Sequence, residues 1–225
     1  MAGRIKKVTS AKSGALRSGQ SSAVESLRNE VIALKRERIL EEAAALFYER
    51  GYLPTTVGAI AERLGATKPF VYYHFQSKVD ILLAICERGT SEALDAANKS
   101  MAMKGSPRER FESFVREFTK IALKNHEFVA IYFREELNLP EEAALRIGLM
   151  RKSINRKLHN LLAEGVASGD FEIPDPGLSA LVIAGMSSYA FAWYREHGRL
   201  GLENATDQIV QMALKLVGKP AKATG

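Results

Sequence analysis

Apolar residues recur at helical spacing along most of this chain, and strand-like alternation of apolar and polar residues does not compete with that pattern. We therefore predict an all-α fold. Two short helices are expected between Thr55 and Ser77, followed by a long helix that ends at about Asn98. The remaining predicted helices cover residues 34–50, 107–124, 127–136, 141–167, 176–197 and 204–217.

The two short helices are separated by a break at Gly65. Their facing apolar stripes are Ile60, Ala61 and Leu64 before the break and Val71, Tyr72 and Phe75 after it. Gly65 can adopt the positive φ that ends a helix, and Thr56 and Thr67 are placed to cap the two N-termini. Pro69 falls in a first turn, where its missing N–H costs little. This is the outline of a helix-turn-helix DNA reader, and also that of an ordinary helical hairpin.

Residues 38–82 carry a longer signature than caps and spacing. Its segments are ILEEAAALFYERGYLPTTV, IAERLG, TKPFVYYHF and SKVDIL. With them, the region resembles the amino-terminal domain of the TetR family of bacterial transcriptional repressors. The resemblance implies a three-helix helix-turn-helix DNA-binding domain joined by a long helix to a helical ligand-binding and dimerisation domain. It also implies a homodimer that binds a partly palindromic double-stranded DNA operator and is released by a small-molecule effector.

The front of the second short helix is the part of a helix-turn-helix that enters a major groove. Lys68 can reach guanine acceptors or a phosphate, and Pro69 and Phe70 can contact thymine methyl groups. Thr56 and Lys78 begin helices and are suited to phosphate oxygens. By resemblance, Tyr72 and His74 contact the DNA backbone. The predicted DNA-binding residues are Thr56, Thr67, Lys68, Pro69, Phe70, Tyr72, Tyr73, His74 and Lys78.

The basic charge of the chain is concentrated at its amino terminus. Residues 1–24 contain five basic and no acidic residues, a charge of +5 in a chain whose formal net charge is +6. Because this segment is also poor in apolar residues, we predict that residues 1–32 form a disordered basic arm. The arm either follows the DNA backbone or enters a minor groove beside the main contact, or it is a solvated tail. The other predicted divisions are a DNA-binding domain at 33–80, a ligand-binding and dimerisation domain at 81–218 and a flexible tail at 219–225.

Several classes of protein do not fit this sequence. No run of 18 apolar residues occurs and the amino terminus lacks the apolar core of a signal peptide, so we expect a cytoplasmic protein without a membrane partner. Cys86 is the single cysteine, which excludes an internal disulfide and favours buried packing over redox sensing. The four histidines are scattered without a catalytic or metal-binding spacing, so we predict no enzyme activity, metal or cofactor.

The last two predicted helices carry apolar residues on wide faces. They are Leu178, Leu181, Val182, Met186 and Tyr189 in one helix and Ile209, Met212, Ala213, Leu216 and Val217 in the other. Packing of this pair against the same pair in a second chain would bury the surplus, which predicts a homodimer through these helices. An intrachain core would produce the same pattern.

The sequence indicates the ligand of the carboxy-terminal domain less clearly than it indicates the DNA-binding helices. The segment AFAWYREHGRLGLENATDQI resembles the tail of TetR regulators that sense acyl-CoA thioesters. In that interpretation arginines bind the CoA phosphates and Trp193 stacks on the adenine. The predicted ligand-binding residues are Phe118, Phe128, Tyr132, Arg146, Met150, Arg151, Ile154, Tyr189, Trp193 and Arg195.

Simpler roles for these residues stay open. The aromatic residues can be plain core, and Arg195 can bind helix carbonyls at a carboxy-terminal end. A repressor of an efflux pump that is released by a hydrophobic drug-like ligand is the main alternative function. A structural DNA-binding protein that senses nothing is a further one.

Overall fold

The structure, a computed structural model, describes residues 8–195 and 197–218, with side chains from Val24 onward. In this described part the chain forms nine α-helices and no strand, which confirms the predicted all-α fold. The helices are α1 (Val8–Arg50), α2 (Val57–Arg63), α3 (Lys68–His74), α4 (Lys78–Ala102), α5 (Pro107–Lys124), α6 (His126–Glu135), α7 (Glu141–Ser168), α8 (Pro176–Ser188) and α9 (Leu202–Leu216). Short 3-10 turns follow α6 at Glu136–Asn138 and α8 at Tyr189–Ala192.

Local hydrogen bonds set most of the helix boundaries. Ser106 and Glu109 form a reciprocal capping box at the start of α5, and Asp175 accepts hydrogen bonds from the amides of Gly177 and Leu178 at the start of α8. The hydrogen bonds from Ser106 lower the pKa of the Glu109 carboxyl. Because these caps lie within three residues of the helix they begin, both starts were predictable from the sequence.

Two helices differ strongly from their predicted lengths. The first helix begins at Val8 rather than at Leu34, so that residues 8–32 of the predicted arm belong to α1. Residues 1–7 of that arm and the predicted tail at 219–225 lie outside the described residues. The helix predicted to reach His197 ends at Ser188, and the 3-10 turn that follows carries Ala190 and Tyr194 into the core.

Two hydrophobic cores hold the described part of the chain together. One joins α1, α2, α3 and the first half of α4 to Phe128 and Ile131 of α6, Leu139, and Ile147 of α7. The other is built from the second half of α4, from α5 and from helices α7 to α9. We call them the shared core and the carboxy-terminal core. The shared core therefore crosses the domain division that the sequence predicts at residue 80.

None of the helices in the described ranges combines the length and apolarity that a membrane-spanning segment needs.

Candidate DNA-binding surface and ligand cavity

The turn between α2 and α3 has the backbone features that the sequence predicts. Gly65 adopts a φ of +63°, which an L side chain rarely takes, and ends the α2 segment. The Oγ1 of Thr56 accepts a hydrogen bond of 3.1 Å from the Ala59 amide, and that of Thr67 accepts one of 3.4 Å from the Phe70 amide. Both threonines are therefore N-caps, and their geometry fixes how α3 leaves the turn.

The outer face of α3 is accessible to a partner. Thr67, Lys68 and Pro69 are exposed at its amino-terminal end, and Phe70 is half-buried. Tyr72 and Tyr73 are 50% and 70% exposed, which is unusual for aromatic side chains that are not needed at a surface. A cation, two phenol hydroxyls and apolar rings on one short helix are suited to phosphate oxygens and base edges.

Lys68 lies across the preceding helix. A Cβ built at Gly58 would be 2.6 Å from the Cε of Lys68, so a larger residue at position 58 would displace this side chain. Gly58 therefore lets the lysine stem run close to α2 while its ammonium group stays at the surface.

His74 does not occupy the exposed position that a contact to the DNA backbone requires. Its side chain is buried, with its ring centroid 5.1 Å from that of Phe70 and 5.0 Å from that of Tyr73. Burial lowers the pKa of the imidazole, and the positive charges of Lys35 and Arg36 lower it further. The carbonyl of His74 accepts a hydrogen bond from the Arg36 guanidinium of α1. Arg36 and His74 therefore help to hold the carboxy-terminal end of α3.

Lys78 also has a different place from the one predicted. Its Nζ donates to the carbonyls of Tyr52, Leu53 and Thr55 at 2.9, 3.0 and 2.9 Å, and it lies 4.3 Å from the centroid of the Tyr52 ring. A lysine ammonium has three donors, and all three are used inside the protein. Lys78 is thus a clamp between α4 and the loop before α2 rather than a free phosphate ligand.

A cavity of about 200 Å³ lies between α4, α5, α6, α7 and α8. It is lined by Ile85, Cys86, Gly89, Thr90, Ala93, Phe118, Ile121, Ala122, Phe128, Val129, Tyr132, Phe133, Arg151, Ile154, Asn155, Leu181, Ala184, Gly185 and Ser188. Most of these side chains are apolar, which suits a hydrophobic ligand with few polar groups.

The cavity lies where the two cores meet. Its walls include Ile85, Cys86 and Phe128 of the shared core and Ala93, Phe118 and Ile154 of the carboxy-terminal core. Along α4 the lining passes from the shared core into the carboxy-terminal core within two helical turns. A molecule in this cavity would therefore contact both cores and the helix that begins directly after the DNA-binding helices.

The structure brings together half of the predicted ligand-binding residues. Phe118, Phe128, Tyr132, Arg151 and Ile154 line the cavity.

The other half lies elsewhere. Arg146 is exposed and forms an ion pair with Glu87, which raises the pKa of the guanidinium. Arg195 donates to the carbonyls of Tyr194 and Ala192, which is the simpler role that the sequence allows for it. Tyr189 and Trp193 are exposed outside the lining, and Met150 packs against the shared core.

The sequence interpretation missed the aromatic Phe133 and most of the cavity residues without aromatic or charged side chains. Gly89 and Thr90 of α4, Asn155 of α7 and Ser188 of α8 are among the latter, and all line the cavity. Of these four, Gly89 alone carried a signal, because a glycine in the interior of a long helix is destabilising and needs a reason. Asn155 and Ser188 do not stand out in a helical pattern.

Arg151 lines the cavity, and neighbouring side chains hold its guanidinium group in place. Arg151 donates a hydrogen bond of 2.8 Å to the Tyr132 hydroxyl, lies 3.8 Å from a carboxylate oxygen of Glu136, and has its guanidinium carbon 5.2 Å from the centroid of the Tyr132 ring. Burial raises the pKa of the Tyr132 hydroxyl, which is protonated near neutral pH even at its ordinary value of 10.0. The positive charge of Arg151 is thus placed at the cavity by an aromatic ring and a carboxylate.

Cys86 is a buried wall of the cavity, as its predicted packing role required. Burial raises the pKa of its thiol to about 12. Because the thiolate is the reactive form, this thiol is not poised for nucleophilic or redox chemistry. Among the residues that the structure describes, no group of three His, Cys, Asp or Glu side chains could hold a metal ion.

Some apolar residues of α8 and α9 are buried within the chain, and others remain exposed. Ile209, Ala213 and Val217 are buried in the carboxy-terminal core. The side chains that stay exposed are Leu178, Leu181, Val182, Tyr189, Met212 and Leu216. Intrachain packing therefore accounts for only part of the pattern, and a large apolar surface remains.

Two family models of transcription regulators match this chain, one in its amino-terminal part and one in its carboxy-terminal part. A family model described as the Tetracyclin repressor-like C-terminal domain matches residues 104–217, and one described as bacterial regulatory proteins of the tetR family matches residues 39–85. The HTH-type transcriptional repressor KstR2 of Mycolicibacterium smegmatis is 27% identical over 186 residues, covering 81% of this chain and 90% of KstR2. The HTH-type transcriptional activator FasR of the same organism is 21% identical over 181 residues, covering 80% of this chain and 81% of FasR.

One solved structure combines the same fold with a ligand and DNA. It is the crystal structure of AibR in complex with isovaleryl coenzyme A and operator DNA, with a TM-score of 0.68 and 27% identity over 79% of this chain and 97% of AibR. The relatives KstR2 and FasR are named as regulators of transcription, not as enzymes.

Proposed function

The chain belongs to the TetR family of bacterial regulatory proteins, and on that premise we propose that it is a ligand-responsive transcriptional repressor. Its DNA-binding domain is the helix-turn-helix built from α2 and α3. Repression rather than activation is supported by the higher identity to KstR2 than to FasR. A regulator of this kind acts in the cytoplasm.

The proposed DNA contacts are those on the exposed part of the reader. Lys68, Tyr72 and Tyr73 project from α3, and the threonine caps place helix N-termini beside them. In this proposal α3 lies in a major groove, with Lys68 on a guanine edge or a phosphate. His74 and Lys78 support the reader without touching DNA.

The proposed active form is a homodimer. The exposed leucines, valine and methionine of α8 and α9 favour association, because monomeric proteins rarely leave such a surface open to water. Two copies related by a two-fold axis would present two α3 helices to the half-sites of a partly palindromic operator.

The position of the cavity carries the proposal of ligand control. A ligand there would touch Ile85 and Cys86 of the shared core and Phe118 of the carboxy-terminal core. It releases the operator only if it binds the non-binding arrangement of α4 more tightly than the DNA-binding one, and such coupling is about 1–3 kcal/mol in typical cases. We propose an acyl-CoA thioester as the effector, supported by the apolar cavity, by Arg151 and by the similarity to AibR.

DNA recognition is tested first, with the full-length protein. Selection from random duplexes gives a tight-binding sequence, and fluorescence anisotropy then compares wild type with Lys68→Ala and with the control Lys99→Ala, an exposed lysine of α4. Lys68→Ala should weaken binding and reduce the salt slope by about one, while Lys99→Ala should behave like wild type. Wild-type affinity in Lys68→Ala would contradict the proposed reader.

Ligand control is tested by titration of the preformed complex. Isovaleryl-CoA, isovaleric acid and a cationic dye are added separately. Release by the thioester alone supports the proposed effector class. Release by the dye favours the efflux-pump repressor instead, and a complex that no hydrophobic compound dissociates would leave a DNA-binding protein without a sensor.

A further inference from the structure

Features of the cavity indicate which part of an effector it binds. Resting on the proposed function, we infer that it takes the acyl group of a thioester, which lies against Gly89 and whose carbonyl oxygen is bound by Asn155. Neither residue carries a charge or an aromatic ring that would mark it in the sequence as a ligand contact.

The cavity has room for an acyl group. Its volume of about 200 Å³ is many times the roughly 10–15 Å³ that one water-sized group needs. Its walls include the exposed Leu181 and Gly185 of α8, so it opens to solvent there, and the rest of a thioester can lie outside.

Gly89 keeps one wall of this volume open. It lies in the interior of α4, where glycine is destabilising relative to alanine, and a Cβ built there has no neighbouring atom within 4 Å. Neither a positive φ nor close packing therefore requires glycine at this position. Since the residue lines the cavity, the free space beside it belongs to the ligand volume.

Asn155 offers the cavity an unused hydrogen-bonding group. The cavity's other polar side chains are mostly engaged, because the Thr90 hydroxyl donates to the Cys86 carbonyl and Tyr132 and Arg151 bond to each other. Within the described chain, the half-buried Asn155 amide has no hydrogen-bond partner, and the same is true of the smaller Ser188 hydroxyl.

A ligand that displaces solvent from the cavity leaves this amide without a partner unless the ligand itself supplies an acceptor, and an unpaired buried amide costs free energy. Asn155 presents two N–H donors, and a thioester carbonyl is the acceptor that an acyl group brings with it. We therefore assign the carbonyl to Asn155 rather than to Ser188.

The role of Gly89 as a cavity wall is tested with a matched pair of glycine variants. Gly148 also lies in a helix with no atom within 4 Å of a built Cβ, but it is exposed and outside the cavity. Gly89→Ala and Gly148→Ala should both raise the midpoint of thermal unfolding by about 2–4 °C. Only Gly89→Ala should bind isovaleryl-CoA about tenfold more weakly in calorimetry, with a smaller loss for butyryl-CoA.

Gly89→Leu should remove binding of both thioesters while the protein stays folded and binds the operator. If Gly89→Ala binds butyryl-, isovaleryl- and octanoyl-CoA as Gly148→Ala does, the assignment of Gly89 is wrong.

The carbonyl assignment is tested with a ligand that lacks the carbonyl oxygen. Wild type should bind isovaleryl-CoA about tenfold more tightly than the matching S-alkyl-CoA thioether. Asn155→Leu should bind the two ligands equally, and Ser188→Ala should keep the wild-type ratio. A merely structural role of Asn155 would weaken both ligands together, so an unchanged ratio in Asn155→Leu overturns the assignment.

These outcomes separate two failures. If no thioester binds wild type, the proposed effector class and this inference fail together. The other outcome is that thioesters bind and release the operator while substitutions at Gly89 and Asn155 leave the relative affinities for the different ligands unchanged. In that case the proposed function stands and only this inference is lost.

Discussion

The shared core and the carboxy-terminal core differ in what they connect. The carboxy-terminal core draws only on residues from Ala93 to Val217, so it stabilises the ligand-binding part alone. The shared core packs the DNA-binding helices directly against Phe128 and Ile131 of α6. The domain division predicted from the sequence is therefore not a division in packing, because side chains of α6 and of the DNA-binding helices belong to one core.

A polar network follows the same route. Arg88 of α4 forms ion pairs with Glu37 of α1 and with Glu92, and its guanidinium carbon lies 4.8 Å from the centroid of the Phe128 ring. Glu92 in turn accepts a hydrogen bond of 2.8 Å from Asn125. Because Phe128 lines the cavity, Arg88 connects a cavity wall to the first helix of the reader.

The largest expected effect comes from removing one large side chain from each core. Phe47 is in the shared core and Phe114 in the carboxy-terminal core, and both are almost fully buried. Phe47→Ala and Phe114→Ala should each lower the free energy of unfolding by about 3–5 kcal/mol, measured with urea. At low urea, Phe47→Ala should weaken both operator and effector binding, whereas Phe114→Ala should spare the operator. Equal loss of operator binding in the two variants would remove the distinction between the cores.

The Lys78 clamp gives the next largest effect. Lys78→Met keeps much of the apolar stem but loses three hydrogen bonds from a charged group, and should lower the free energy of unfolding by about 1.5–3 kcal/mol. Operator binding should weaken without a change in the salt slope, since the ammonium contacts carbonyls and not phosphates. A slope reduced by about one, as expected for Lys68→Ala, would show that Lys78 binds DNA after all.

Arg88 tests the connection between the cavity and the reader. Arg88→Met should leave folding and thioester affinity nearly unchanged but reduce the ligand-induced loss of operator affinity by about 1 kcal/mol. Anisotropy titrations with and without isovaleryl-CoA measure this coupling. Arg116→Met serves as control, because Arg116 pairs with Asp207 and Glu112 and is not part of the cavity lining. If Arg88→Met keeps the full wild-type coupling, the apolar contacts of the shared core connect the cavity to the reader without Arg88.

The smallest effect concerns pH and the reader alone. The pKa of His74 lies below its ordinary value of 6.5 in the folded protein, chiefly because of burial. As pH falls through 6.5 the unfolded chain takes up this proton first, so stability decreases below that pH and is unaffected well above it. His74→Gln should flatten the dependence of the urea midpoint on pH between neutrality and mild acid. An unchanged slope in this variant would assign the pH dependence to other groups.

Local features of the DNA reader were predictable, and long-range ones were not. Thr56, Thr67 and Gly65 act within a few residues of their own positions, so the sequence predicts both caps and the turn. The intramolecular partners of Lys78 and His74 were not predictable because they are distant in the chain: Lys78 binds carbonyls 23 to 26 residues away, and Arg36 reaches the His74 carbonyl across 38 residues.

The ligand cavity was half predictable for a related reason. Aromatic residues at helical spacing indicated an apolar interior and included Phe118, Phe128 and Tyr132. The same pattern also selected Tyr189 and Trp193, which are exposed because the helix ends at Ser188. Periodicity identifies which residues share a face of one helix, but it does not specify which faces of five helices meet.

The sequence by itself determined the helical class, the position of the DNA reader and the starts of α2 and α3. Each of these depends on hydrogen bonds and apolar spacing within one or two turns. Only the tertiary structure decided where the cavity lies, that Gly89 and Asn155 line it, and that one core spans the reader and α6. Those features depend on contacts between helices separated by tens of residues, and loop closure and packing of the whole chain select them.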